Sequence, residues 1–321
     1  MMKHYSVLLG ESIEYLDIKE DGIYIDGTLG RAGHSSEILK RIPNGHLYAF
    51  DKDETAITES TKRLLEIGDN FTIIHKGFEE LEQVIEEYKI PAIDGLLLDI
   101  GVSSPQFDDG ERGFSYRYDA RLDMRMDQSQ SLSAYEVVNT YSFHDLMHIF
   151  RDYGEEPFSK QIARKIEQAR MDKPIETTFE LVDVIKSALP SKVLNKKGHP
   201  AKKVFQALRI EVNNELHALE QVLETGIQHL NDQGRVCVIT FHSLEDRIVK
   251  KIFQKYAKPE KTDKRIPLMP DEVKQKPYTL ITRKPIVANE EELDENHRSH
   301  SAKLRVLGKG RLNHENCKKE S

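Results

Sequence analysis

The sequence predicts an open α/β sheet of mainly parallel strands that carries an all-helical insertion. Short apolar runs recur early in the chain: Gly22-Ile-Tyr-Ile25, His46-Leu-Tyr-Ala-Phe50, Phe71-Thr-Ile-Ile74 and Ile93-Asp-Gly-Leu-Leu-Leu98. Amphipathic helical stretches separate them. Three of the four runs lead straight into an acid, Asp26, Asp51 or Asp99. After Gln106 the strand pattern stops, and it resumes only at Gly234. Near-continuous apolar runs suit parallel strands buried on both faces, whose ligand sits beyond their carboxyl ends.

The first strand ends in the most informative segment, Asp26-Gly-Thr-Leu-Gly-Arg-Ala-Gly-His-Ser35, followed by the helix-like stretch Ser36-Glu-Ile-Leu-Lys-Arg-Ile42. Strand, glycine-rich turn and helix start make a cofactor-binding elbow. Glycines admit a close ligand, and the helix start presents unpaired N–H groups. The glycines stand at Gly27, Gly30 and Gly33, which is not the dinucleotide G-x-G-x-x-G spacing. An acid at Asp26 would repel a pyrophosphate and suits a cation such as the amino group of S-adenosylmethionine.

The second strand ends at Asp51, about where a ribose-binding acid stands after such a turn. Its carboxylate can accept from both ribose hydroxyls; alternatively, Asp51 or Asp53 caps the helix from Glu54 to Leu65. The third strand leads to Phe78, which either packs against an adenine or opens the next helix as a core aromatic. The fourth ends at Asp99 and runs into Ile100-Gly-Val-Ser-Ser-Pro-Gln106. There Ser103-Ser104-Pro105-Gln106 occupies the place of the polar-proline tetrapeptide of amino-methyltransferases. A conjugated exocyclic nitrogen is a poor nucleophile, and acceptors for its two hydrogens would aim its lone pair at a methyl donor. Ser104 in place of a proline and Gln106 in place of an aromatic depart from that pattern, and a plain Ser-Pro turn is the alternative.

Phe107 to Asp127 interleaves Arg112, Arg117, Arg121 and Arg125 with Asp119, Asp123 and Asp127, as a lid held by ion pairs or a solvated loop would. Ser133 to Leu189 is helical in period and ends before Pro190. Val204 to Leu230 reads as one long amphipathic helix with an apolar stripe from Val204 through Leu216 to Leu230. On another face Arg209 and Asn213 meet either water or a substrate. Gly234 to Phe241 reads as a fifth strand with His242 at its carboxyl end. Ser243 and Asp246 form a capping pattern for the helix through Tyr256. Pro277 to Ile286 and Lys303 to Leu307 read as closing antiparallel strands. The expected division is core at 1–108, lid and helical insertion at 109–200, core again at 201–312, and a flexible tail at 313–321.

The 321 residues, 31% charged and 38% hydrophobic, suit a soluble protein of two units. No apolar run reaches a membrane span, and Glu11 interrupts the opening apolar stretch that a signal peptide needs. Two cysteines, Cys237 in a strand and Cys317 in the tail, argue against a disulfide framework and for a reduced, cytoplasmic setting. Neither stands where methylation at a base carbon would need a thiol. His144 and His148 have a helical metal-ligand spacing, yet they lack the Glu of a zincin motif, so no metal is expected. The net charge of −7 conceals three basic clusters, as nucleic-acid binding requires. They are Lys192 to Arg209, Arg247 to Arg265 and Arg298 to Arg311.

Taken in order, several motifs resemble the bacterial ribosomal small-subunit RNA methyltransferase H family, also called MraW. Besides the turn and Leu97-Leu-Asp-Ile-Gly-Val-Ser-Ser-Pro-Gln106, they include Glu111-Arg-Gly-Phe-Ser115, Leu122-Asp-Met-Arg-Met126 and Tyr153-Gly-Glu-Glu156. Later come His199-Pro-Ala-Lys-Lys-Val-Phe-Gln-Ala-Leu-Arg-Ile210, Phe241-His-Ser-Leu-Glu-Asp-Arg-Ile-Val-Lys250 and Arg298-Ser-His-Ser-Ala-Lys-Leu-Arg305. Ala32 stands where that family commonly has glycine. The resemblance implies a class I S-adenosylmethionine-dependent methyltransferase, a Rossmann-like open sheet with an all-helical insertion. It also implies N4-methylation of a cytidine in the decoding region of 16S ribosomal RNA, within the small subunit. It places S-adenosylmethionine contacts on Ala32, Gly33, His34, Asp51, Phe78, Asp99 and Gln106, next to Asp26 and Gly30 of the turn. Ser103, Ser104 and Pro105 would position the target amine. Arg125, Lys202, Lys203, Arg209, Asn213 and His242 are the candidates for gripping RNA. The competing classes are an amino-methyltransferase acting on DNA or a small molecule, and a non-catalytic ribosome assembly factor.

Overall fold

The computed structural model describes residues 6–100, 110–258 and 276–310, apart from the side chains of His297 and Arg298. It divides into two compact units, Met1–Gly101 with His217–Ser321, and Val102–Leu216. No helix of the described residues is long and apolar enough to cross a membrane.

The first unit is built on seven strands: β1 (Ile23–Asp26), β2 (His46–Phe50), β3 (Phe71–Ile74), β4 (Ile93–Asp99), β5 (Leu230–Thr240), β6 (Tyr278–Leu280) and β7 (Lys303–Lys309). Their order is β3-β2-β1-β4-β5-β7-β6. The first five are parallel, and β7 runs antiparallel between β5 and β6. The order reverses between β1 and β4, which opens a ligand crevice at their carboxyl ends.

Side chains alternate between the two faces of the sheet. Ile25, Leu96, Leu98, Val236 and Val238 pack on one side with α4 (Leu81–Tyr88), α11 (Glu215–Gln228, from His217 onward) and α12 (Ser243–Ala257). Tyr24, Leu97, Cys237 and Ile239 pack on the other with α1 (Leu9–Leu16), α2 (Gly33–Leu39) and α3 (Glu54–Leu65). Both faces being covered, the strands read as continuous apolar runs.

The second unit is helical: α5 (Ala134–Thr140), α6 (Phe143–Asp152), α7 (Ser159–Asp172), α8 (Thr178–Ala188), α9 (Ser191–Leu194) and α10 (Lys202–Asn213). Its core includes the fully buried Val138, Phe150, Ile162, Leu181 and Leu208. Capping boxes at Ser133 with Glu136 and at Thr177 with Glu180 start α5 and α8.

The sheet follows expectation, and several local readings are corrected. The helix after the glycine turn starts at Gly33, not Ser36, because Ala32 already holds a left-handed cap conformation. The long helix from Val204 to Leu230 is two helices. Asn214 turns left-handed (φ 50°), its N–H closes on Glu211 and Ile210, and α10 stops there. Leu230 belongs to β5, which begins four residues before Gly234. Helix α10, assigned above to the core, packs in the helical unit, so the boundary falls at Leu216 and not at 200. The cap of α12 is His242 with Glu245, one residue before the expected pair, and Asp246 instead binds Arg305 at 2.7 Å. The described part of the expected lid, from Gly110 on, contributes Phe114, Leu122 and Met124 to the helical core. The tail at 313–321 lies outside the described residues.

Candidate active site

The strand-end acids occupy three different environments. Asp26, 1% exposed, ends β1. One carboxylate oxygen accepts from Thr28 N–H at 3.0 Å and the other from Ser35 Oγ at 2.6 Å. Both oxygens are thus held by the protein. Asp26 thus braces the turn from inside, and its oxygens keep acceptor capacity beyond these bonds.

Asp51 follows β2, and its N–H joins Ile74 of β3. One oxygen accepts from Gly30 N–H and the other from Asp53 N–H, each at 2.9 Å. Asp53, not Asp51, caps α3. Each Asp51 oxygen therefore keeps acceptor capacity for a further donor, as two ribose hydroxyls would require. Burial raises its pKa from 3.8 to about 6, although the N–H groups of Asp53 and Gly30 hold it down. A ligand that binds the ionised carboxylate should bind about tenfold more weakly at pH 5 than at pH 7.5. The same shift sets a stability trend. The folded protein takes up this proton more readily than the unfolded chain, so the contribution of Asp51 to stability falls as pH rises from about 4 to about 6. Calorimetric titration with S-adenosylmethionine from pH 5 to pH 7.5 checks the first statement, and a pH-independent affinity would refute it.

Asp99 ends β4, where its N–H donates to Thr28 Oγ1 at 2.7 Å and ties the turn to the switch point. His34, in the first turn of α2, points Nδ1 toward Asp99 Oδ2 at 3.9 Å. Its Nε2 is buried and has no hydrogen-bond partner among the described residues. Gly30 (φ +48°) gives the turn a left-handed step that ordinary side chains disfavour. Ser60 of α3 donates to the Gly30 carbonyl at 2.7 Å, and Arg63 to the Arg31 carbonyl at 2.9 Å. Gly33 starts α2 against Ser6. Phe78 opens a short 3₁₀ turn before α4 and packs, half-buried, against the core on the α4 side of the sheet.

The turn, Asp51, Phe78, His34 and Asp99 thus belong to one edge of one sheet. Thr28, Ser35 and Ser60, which hold that edge together, were not singled out from the sequence. Thr28 and Ser35 lie inside the quoted motif; nothing in the sequence pattern points to Ser60. Ser103, Ser104, Pro105 and Gln106 lie outside the described residues.

The RNA candidates fare differently. Arg125 spends its guanidinium on Asp123 and on the carbonyls of Gln128 and Gln130. Arg209 forms a two-point pair with Glu215, both contacts at 2.8 Å. Asn213 is buried and bonded to Met124, Met126 and Arg209. Lys203 donates to the Glu155 carbonyl. Arg125, Arg209 and Asn213 brace the helical unit through these bonds, and the exposed Lys203 keeps donors beyond its one carbonyl contact. Lys202 is exposed, and His242 serves as the α12 cap.

The sequence model of the MraW methylase family matches residues 1–310. The chain belongs to that family. It is 53% identical over 309 residues to ribosomal RNA small subunit methyltransferase H of Exiguobacterium sibiricum, covering 96% of this chain and 99% of that one. Among solved structures, a rRNA methylase from Streptococcus thermophilus shares 12% identity at a TM-score of 0.40, covering 94% of each chain. An S-adenosylmethionine-dependent O-methyltransferase from Thermotoga maritima shares 11% at 0.40, covering 97% of this chain and 69% of that one. As a member of the MraW family the protein is a methyltransferase whose cofactor is S-adenosylmethionine. Its edge fits that group. Asp51 offers acceptors for ribose hydroxyls, and the buried His34 Nε2 offers a donor that a carboxylate would satisfy.

Proposed function

We propose that this methyltransferase transfers a methyl group to N4 of a cytidine in the decoding region of 16S ribosomal RNA, presented by the small ribosomal subunit in the cytoplasm. The observation that carries the reading is the identity of 53%, across nearly all of both chains, to a small-subunit ribosomal RNA methyltransferase. S-adenosylmethionine supplies an electrophilic methyl on a sulfonium. Asp51 would accept from its ribose hydroxyls and His34 would meet its carboxylate, so that the two residues hold the methyl donor in place. Ser103, Ser104 and Pro105 accept from the hydrogens of the target amine and direct its lone pair. The N–C bond forms as the S–C bond breaks, and the amine proton leaves to water. Positioning and electrostatics suffice, with no covalent intermediate. A base within folded RNA must be unstacked first, at a cost of a few kcal/mol supplied by contacts elsewhere on the RNA.

Radiolabelled methyl transfer to small subunits lacking their modifications, to naked 16S RNA and to DNA tests this. Digestion to nucleosides should yield N4-methylated cytidine from the RNA substrates. Incorporation into DNA alone, or none despite demonstrated cofactor binding, would overturn the assignment.

A further inference from the structure

The helical unit carries more cations than its own packing uses. Arg125, Arg170, Lys203 and Arg209 are bonded to carbonyls or carboxylates of that unit. Arg117, Lys186, Lys196 and Lys197 are exposed, and their side chains make no ion pair or hydrogen bond among the described residues. The same unit exposes two rings, Tyr118 (53% exposed) and Phe179 (44%). The backbone segments that carry them are neighbours. Thr178 Oγ1 donates to the Tyr118 carbonyl at 2.6 Å, and Phe179 N–H donates to Asp119 Oδ1 at 3.3 Å.

The cations gather on the same side. Phe179 and Lys186 are two turns apart on the solvent face of α8. Tyr116, two residues before Tyr118, stacks flat on His199, with centroids 4.2 Å apart and planes 7° apart. That contact brings the loop bearing Lys196 and Lys197 to Arg117. Burial first, then Lys186 and Arg117, lowers the His199 pKa, which places both cations close to its ring. Acids near this face include Asp119, Asp183 and Glu111, which follows the Gly110 that lies against Tyr118; Asp119 accepts from the Phe179 N–H.

The exposed parts of these rings and the unpaired like charges beside them add little to the stability of a helical bundle. We propose that this face binds an unpaired stretch of RNA, with Arg117, Lys186, Lys196 and Lys197 neutralising phosphates while Tyr118 and Phe179 stack on bases. The proposal rests on the ribosomal RNA reading above. A flat ring beside a free cation matches a strand that offers one base and one charge per nucleotide. Two rings fall far short of the roughly 800 Å² per partner that a stable protein interface buries.

The test uses the full chain and a fluorescein-labelled, unstructured mixed-sequence RNA of about twelve nucleotides, within the usual single-strand site sizes. Fluorescence anisotropy reads affinity at several salt concentrations. The pair Tyr118→Ala with Phe179→Ala should bind about tenfold more weakly or worse, while Tyr118→Phe with Phe179→Tyr should bind like the wild type. The triple variant Lys186→Gln, Lys196→Gln and Lys197→Gln should lower the slope of log affinity against log salt by about 2. A wild-type thermal melt and far-ultraviolet circular dichroism spectrum certify that the helical unit of each variant is folded. Folded variants with wild-type RNA affinity and salt slope would overturn this face. If the wild type still methylates small subunits, that failure leaves the ribosomal reading intact; a wild type that neither binds RNA nor methylates it would bring down both.

Discussion

Replacing Asp51 with alanine is expected to weaken S-adenosylmethionine binding by about one to two decades while leaving the protein folded. The side chain accepts from two backbone N–H groups and faces the crevice at the switch point of the sheet. The charge-assisted hydrogen bonding to the ribose hydroxyls, about 1.5–3 kcal/mol in all, disappears with it. The fold should tolerate the change because the Asp51 carboxylate is itself uncomfortable: burial raises its pKa to about 6, so holding it ionised at neutral pH already costs stability. Removing it relieves that cost and partly offsets the loss of acceptors for Gly30 and Asp53. Calorimetry on the folded variant decides the matter, and unchanged affinity would remove Asp51 from the cofactor site. Asp26→Ala makes an instructive contrast. Its carboxylate is almost wholly buried and braces the turn through Thr28 and Ser35, so that variant should lose thermal stability as well as affinity.

This contrast shows what the sequence could and could not convey. That β1, β2 and β4 would end in acids on one edge was legible, because apolar runs of strand length end at Asp26, Asp51 and Asp99. Which acid faces the ligand was not legible, because it depends on the nearby donors. Asp26 is almost wholly buried and is held by Thr28 and Ser35 of its own motif, whereas Asp51 is less buried and is held by the N–H groups of Gly30 and Asp53. The break at Asn214 was hidden for a related reason. The apolar stripe runs on from Val212 to Leu219 without a glycine or proline, and only an asparagine, which tolerates the left-handed region, marks the stop. Charge patterns were the least reliable guide. Arg125, Lys203 and Arg209 look like surface cations in sequence, yet each is tied to a carbonyl or a carboxylate in the helical unit. Arg117 and Lys186 are indistinguishable from them by composition and remain open.

Asn213 turns that uncertainty into a measurable effect. Its side chain accepts from Met126 N–H at 2.8 Å and donates to the carbonyls of Met124 at 2.8 Å and Arg209 at 2.9 Å. Met124 is fully buried with φ at +60°, a conformation that costs a long side chain about 1–3 kcal/mol and persists only where the surroundings impose it. Arg112 helps by donating to the carbonyls of Arg125 and Met126, but Asn213 alone grips the segment on both sides of Arg125 from α10. Alanine at 213 leaves a buried N–H and a buried carbonyl without partners, each worth about 1–3 kcal/mol. The expected loss is about 3 kcal/mol of helical-unit stability, seen as a lower Tm in a thermal melt. Asn213→Asp should not rescue it, since a carboxylate can accept from Met126 but cannot donate to Met124 or Arg209. Were Asn213 a substrate contact instead, the alanine variant would melt like the wild type and lose RNA affinity. A lower melting temperature with RNA affinity unchanged below the transition would establish it as the clamp on a strained segment.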